Sequence, residues 1–145
     1  MIKHVSKTTL YVKDQNESLR FYTEKLGFEV RADITMGDFR WLTVGAKDQP
    51  DFEIVLYPLQ ANDYFLNEAD ANAIRHLLET GKLGGPVVFA DDLQKTYDEM
   101  KAKGVEFVSP PTEQPWAIEA IFKDNNGTIF SLQQEKQLVA EAKQA

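Results

Sequence analysis

The side chains of this sequence with the most chemical capacity alternate with apolar neighbours. A strand presents successive residues on opposite faces. Counted this way, Lys7, Thr9 and Tyr11 share one face, with Thr8, Leu10 and Val12 behind. Trp41 goes with Thr43, and Glu53 goes with Val55 and Tyr57, with Ile54 and Leu56 behind. Further on, Glu119 goes with Ile121, and Ile129 with Ser131 and Gln133. The set behind includes Leu10, Val12, Ile54, Leu56, Ala120, Phe122, Phe130 and Leu132, all apolar, as a sheet face covered by helices requires. The set in front mixes aromatic rings, charges and hydroxyls, the composition of a small-molecule site. An ammonium and carboxylates on such a face can pair with each other or serve as acid and base.

Other chemistry is scarce. The two histidines are His4, ahead of the first strand, and His76, inside a helix; both read as exposed or helix-packing rather than as ligands. With no cysteine there are no disulfides, thiolate metal sites or cysteine nucleophiles. Such a chain suits a reducing compartment, so a cytoplasmic location is expected. Sixteen Lys and Arg against 23 Asp and Glu give a net charge of −7, which repels phosphate backbones and anionic membranes. Neither nucleic acid nor membrane is expected as a partner. No apolar run approaches the ~20 residues that span a bilayer. The start, Met1 to Ser6, lacks the apolar stretch and cleavage site of a signal peptide, so none is expected.

The elements that would position these residues come in two similar halves. One constant offset relates Asp14 to Asp91, Gly27 to Gly104 and Glu29 to Glu106. Thr8 to Val12 is β-branched and aromatic, hence a strand. Asp14 to Ser18 starts a helix, Leu19, Phe21, Tyr22 and Leu26 form its stripe, and Gly27 ends it. Phe28-Glu29-Val30 opens a strand, and Phe39 to Val44 and Phe52 to Tyr57 follow as strands. The second half repeats this order. Val87 to Phe89 is a strand, Leu93, Tyr97 and Met100 are a helical stripe, and Val105 to Val108, Ala117 to Phe122 and Thr128 to Leu132 are strands. Pro110-Pro111 and Asp124-Asn125-Asn126-Gly127 read as turns. Between the halves, Glu68 to Glu79 is predicted helical, with Ala69, Ala73, Leu77 and Leu78 on its packed face. The division expected is one domain over residues 1–136, with module one about 5–58, a linker about 59–84, module two about 85–134, and a polar tail over 137–145 that is frayed helix or disorder.

These residues carry a family resemblance. Thr9-Leu10-Tyr11-Val12-Lys13-Asp14, then Ser18, Phe21-Tyr22 and Leu26-Gly27-Phe28, resemble the opening module of the vicinal oxygen chelate (VOC) superfamily, the glyoxalase/bleomycin resistance/dioxygenase proteins. Asp91-Asp92-Leu93, Gly104-Val105 and Phe122-Lys123-Asp124-Asn125-Asn126-Gly127 resemble its closing module, with Asn125 where the family usually has proline. The resemblance implies an α+β fold of two βαβββ modules forming a curved open sheet, with a divalent metal on the concave face. Carried over, the four ligand positions fall on Lys7, about Val55, the Gly84-Gly85-Pro86 stretch and Ser131. An ammonium has no acceptor lone pair, and the others are poor or absent donors. All four depart from the pattern, so no cofactor and no family-type metal are expected.

The resemblance also makes the front-facing residues the lining of one trough. The candidate ligand-binding residues are Lys7, Thr9, Trp41, Glu53, Tyr57, Trp116, Glu119, Ile121 and Ser131, with Trp116 capping the mouth. An ion pair from Lys7 to Glu53 or Glu119 is expected, because unpaired buried charge is costly. Lys7 would also meet an anionic group on a ligand. Three functions compete. The first is a metal-free protein that binds a planar or amphipathic small molecule, as the family's drug-binding members do, working as a homodimer. The second is a VOC enzyme, lyase, isomerase or dioxygenase-like, with an altered metal site or Lys7 and Glu119 as acid and base. The third is an interaction subunit with a vestigial trough.

Overall fold

A computed structural model describes residues 1–62 and 65–136, so the expectation for the 137–145 tail lies outside the described residues. The chain divides into two compact units, one ending at Leu77 and the other beginning at Leu78. The boundary falls inside the helix that links the two sets of strands.

The first unit carries β1 (Lys7–Val12), α1 (Gln15–Arg20) continued by a π-helical turn (Phe21–Lys25), β2 (Glu29–Met36), β3 (Phe39–Gly45) and β4 (Glu53–Pro58). Its sheet runs in the order β1-β4-β3-β2, with β1 parallel to β4 and the other pairs antiparallel. Asp14 caps α1, its carboxylate accepting the Glu17 N–H at 2.9 Å. Gly27, at a φ of 73°, takes the left-handed turn out of the helix that a side chain resists. Gln15 ties the helix to the sheet, its amide donating to the Leu56 and Arg40 carbonyls at 2.9 and 3.1 Å.

The second unit carries β5 (Gly84–Phe89), α3 (Leu93–Ala102), β6 (Glu106–Glu113), β7 (Ala117–Lys123) and β8 (Ile129–Glu135). Its order, β5-β8-β7-β6, repeats the first sheet with β5 parallel to β8. An aromatic chain fixes the helix-covered face: Tyr97 of α3 meets Phe107, which meets Phe122, which stacks on Phe130. All eight residues of the apolar set behind the strands are buried in the two units. Burying a side chain of this size is worth about 1.5–3 kcal/mol, so this face is where the sheets gain most.

Asp92 caps α3, its carboxylate accepting the Lys95 N–H. Two expectations need correction. Pro110-Pro111 is not a turn but part of β6. That strand is a sheet edge with register shifts around Ser109 and Thr112, where a residue without an N–H loses no ladder bond. The linking helix α2 does span Glu68–Glu79, but it packs Ala71 and Leu78, leaving Ala69 and Ala73 exposed and Leu77 39 % exposed. Ala69 and Ala73 keep the spacing of a helical stripe, but side chains of one methyl bury too little to decide which face packs.

Candidate functional site

In the first unit the sheet face away from α1 is built by register. Lys7 lies level with Glu53, Thr9 with Val55 and Tyr11 with Tyr57. On the same face, across β2 and β3, Ala32, Ile34 and Met36 lie level with Thr43, Trp41 and Phe39. The Thr43 hydroxyl, fully buried, donates to Glu53 Oε1 at 2.7 Å. Lys7 is exposed and forms no ion pair within its own unit among the described residues. The expected Lys7–Glu53 ion pair is therefore replaced by a hydroxyl-to-carboxylate bond. A short β-branched threonine is already ordered beside Glu53, whereas a hydrated ammonium on a flexible stem at the strand start stays in water. Glu53 stands level with Lys7, and Val55 with Thr9.

Farther along the same face, three rings gather around Tyr57. Tyr11 meets it edge-on at 5.9 Å, Phe39 tilts against it at 5.5 Å, and Phe65 lies 6.2 Å away. Phe39 and Tyr57 wall a cavity of about 590 Å³, together with Met36, Asp38, Pro58 and the 60–62 segment. Asn62 holds that segment in place by accepting the Phe65 N–H at 2.8 Å. Of the candidate residues only Tyr57 lines this cavity. Trp41 is half-buried two residues from Phe39 on the same strand face, and Thr9 is exposed. Alternation could have found Phe39, since it precedes Trp41 by two. Phe65 and Asp38 lie in segments without periodicity, and nothing in their sequence neighbourhood marked them.

In the second unit the corresponding face carries a polar cluster. Glu119 Oε2 accepts the Ser131 hydroxyl at 2.6 Å and the Gln133 amide at 3.2 Å, and that amide also donates to Ser131 Oγ at 3.0 Å. Ile121 lies level with Ser131 and is half-buried. Val87 and Phe89 of the edge strand, level with Ser131 and Gln133, are exposed. Trp116 is 50 % exposed in the turn closed by the Gln114 N–H to Ala117 carbonyl bond.

A mutually displaced pair lies away from these clusters. The Arg40 guanidinium donates to both Asp33 oxygens at 2.8 and 2.9 Å and holds that carboxyl below the usual carboxylate range, while Asp33 pushes Arg40 upward.

The donor set implied by the resemblance does not suit a divalent ion. Lys7 offers no lone pair, the glycines offer no side chain, Ser131 already donates to Glu119, and Glu53 is engaged by Thr43. Among the described residues no group of three or more His, Asp or Glu side chains is placed to hold a metal. No helix among them is long and apolar enough to cross a membrane.

Comparison with known proteins agrees with this architecture. A family model of the Glyoxalase/Bleomycin resistance protein/Dioxygenase superfamily matches residues 2–132. The Bacillus subtilis (strain 168) protein YurT is 35 % identical over 129 residues, 88 % of this chain and 96 % of its own length. The crystal structure of UcmS2 is 41 % identical with a TM-score of 0.86, over 92 % of this chain and 98 % of that one. TnmS3, an antibiotic binding protein from Streptomyces sp. CB03234, is 27 % identical with a TM-score of 0.73, over 93 % and 98 % of the two chains. Two four-stranded sheets in one strand order, each backed by its helix, and a match across nearly the whole chain lead to one statement: this chain belongs to the glyoxalase/bleomycin resistance protein/dioxygenase superfamily.

Proposed function

We propose that this protein binds, without a metal or other cofactor, a small molecule with a flat apolar body, seated against the aromatic cluster of the first unit. The observation that carries the reading is the cavity of about 590 Å³ walled by Phe39 and Tyr57. Ligand pockets have this size and this mixture of rings and few polar groups. TnmS3, whose sequence is 27 % identical, is an antibiotic binding protein, which supports a sequestering role for this chain too.

The test is a fluorescence titration with planar aromatic compounds, using Trp116→Phe so that Trp41 is the reporter. Saturable quenching is expected, with micromolar or tighter affinity. Tyr57→Ala should weaken binding at least about tenfold, since a buried aromatic contact is worth about 0.5–1.5 kcal/mol beyond its area. A panel that leaves the signal flat, or a Tyr57→Ala variant that binds unchanged, refutes the reading. Retention of one divalent ion per chain after desalting would refute its metal-free part.

An enzymatic reading is favoured by one contact, the 2.6 Å bond from the Ser131 hydroxyl to Glu119, which fits a carboxylate acting as base. Ligand turnover abolished by Glu119→Gln would establish it. We also propose a homodimer, since the edge residues Ile34, Met36, Val87 and Phe89 leave apolar surface uncovered, and a cytoplasmic location, which a chain without cysteine suits. Sedimentation at micromolar concentration should give twice the chain mass.

A further inference from the structure

We propose that the cavity beside Tyr57 selects an organic cation, a flat or alkylated ammonium, over neutral or anionic molecules of the same shape. This rests on the binding reading above and narrows its ligand class. Among the described residues the lining contains one charged group, the Asp38 carboxylate, and no Lys, Arg or His. Asp38 forms no ion pair among the described residues, unlike Asp33 nearby on the same hairpin, which is held by Arg40. The hairpin's two arginines are already engaged. Arg40 is bound to Asp33 and Asn16, and Arg31 to Glu29 and to the carbonyls of Ala46, Gln49 and Pro50. Neither guanidinium is left to receive an anion.

The walls match this charge. Aromatic rings present negative faces, and cations are attracted to them. Phe39 and Tyr57, which wall the space, meet at 52°, so it is bordered by rings in two orientations, while Tyr11 and Phe65 pack edge-on against Tyr57. Among the described residues the cation–ring contacts of the protein use Phe21 and Tyr97, not these rings. Lys7, which the sequence suggested as an anion receptor, is level with Glu53, four residues from Tyr57 and roughly 13 Å along the strand. The net charge of −7 adds a long-range bias in the same direction.

The test compares three probes of one shape: N-methylacridinium, N-methylacridone and acridine carboxylate, titrated by calorimetry at neutral pH and low salt. The cation should bind about tenfold tighter than the neutral acridone, with the anion weakest, as expected for a cation over ring faces beside a carboxylate. Asp38→Asn, in an exposed turn that tolerates asparagine, should lose most of that preference while acridone binding stays the same. Acridone binding as tightly as the cation, or a preference that survives Asp38→Asn, overturns the charge selection and leaves the binding reading standing. No binding by any of the three overturns both.

Discussion

The two units hold an acid and a hydroxyl at matching places, but exchanged between strands. In the first unit the hydroxyl, Thr43, is on β3 and the carboxylate, Glu53, on β4. In the second, the carboxylate, Glu119, is on β7, the counterpart of β3, and the hydroxyl, Ser131, on β8, the counterpart of β4. The backbone frame is conserved between the units while the side chains on it are not. One unit adds a ring cluster with a cavity, and the other adds an amide, Gln133, that completes a polar patch. A sheet face with no helix against it is free to vary in this way, because the apolar set behind the strands already supplies the burial.

The units also differ in how they hold their turns, and there the largest effect is expected. The β7–β8 turn is over-determined. Asp124 Oδ1 accepts the N–H groups of Asn126, Gly127 and Thr128 at 2.8, 3.0 and 3.0 Å. Gly127 has a φ of 107°, and a Cβ there would collide with the carbonyl of Leu78 at the end of α2. Gly37, in the β2–β3 turn, has a φ of 60° with open space around it. Gly127→Ala should therefore cost roughly 3 kcal/mol or more, from strain and clash together. Gly37→Ala should cost only the left-handed penalty, about 1–2 kcal/mol. Urea unfolding of both variants measures this, and equal losses would break the distinction between a locked turn and a free one.

How far the sequence reaches follows from the same physics. Period-two alternation is a strong signal where one face is buried, which is why every strand and the apolar set could be read from residue types. Asn126-Gly127 marked a turn because few residues tolerate its backbone. Pro110-Pro111 misled because proline marks both turns and sheet edges, and only strand order tells them apart. On the open face, residue types gave the composition but not the partners. Whether Glu53 meets Lys7 or Thr43 depends on side-chain reach and hydration across a distance of one strand. The cavity escaped because Asp38 and the 60–62 segment belong to loops, where no period places a residue.

A smaller effect would sharpen the exchanged pairs. Glu53→Ala strands the Thr43 hydroxyl, which is fully buried and has that carboxylate as its partner. Glu119→Ala strands less, because Ser131 and Gln133 are half-buried and still bond each other at 3.0 Å. An unpaired buried polar group costs about 1–3 kcal/mol, so Glu53→Ala should be the more damaging by about 1 kcal/mol. Thr43→Val in the Glu53→Ala background should recover part of the loss, whereas Ser131→Ala in the Glu119→Ala background should recover little. The two double-mutant cycles, read as unfolding free energies, decide it. Equal costs would mean that the exchange of strands is energetically neutral.

The smallest effect separates the units by pH. The first unit braces its β2–β3 hairpin with the two-bond Arg40–Asp33 pair, while the second has the loose Lys136–Glu113 contact of 3.8 Å. The hydrogen bonds from the Arg40 guanidinium hold the Asp33 carboxyl below the usual carboxylate range. A carboxyl depressed in the folded state contributes stability above its unfolded pKa and loses it as pH falls through the folded one. The contribution should thus be full above about pH 4 and fade below it. The raised Arg40 titrates far above any usable pH and adds no slope of its own. Because the Asp33 side chain is 38 % exposed, solvent screening keeps the pair small, about 0.5 kcal/mol. Wild type minus Asp33→Ala, measured by urea unfolding from neutral to about pH 2.5, should show that difference at neutral pH and converge toward zero in acid. Glu113→Ala should show no resolvable difference at either end. A Glu113→Ala loss as large as that of Asp33→Ala would mean that distance and bond count do not distinguish the two pairs, and the contrast between the units would not extend to their charges.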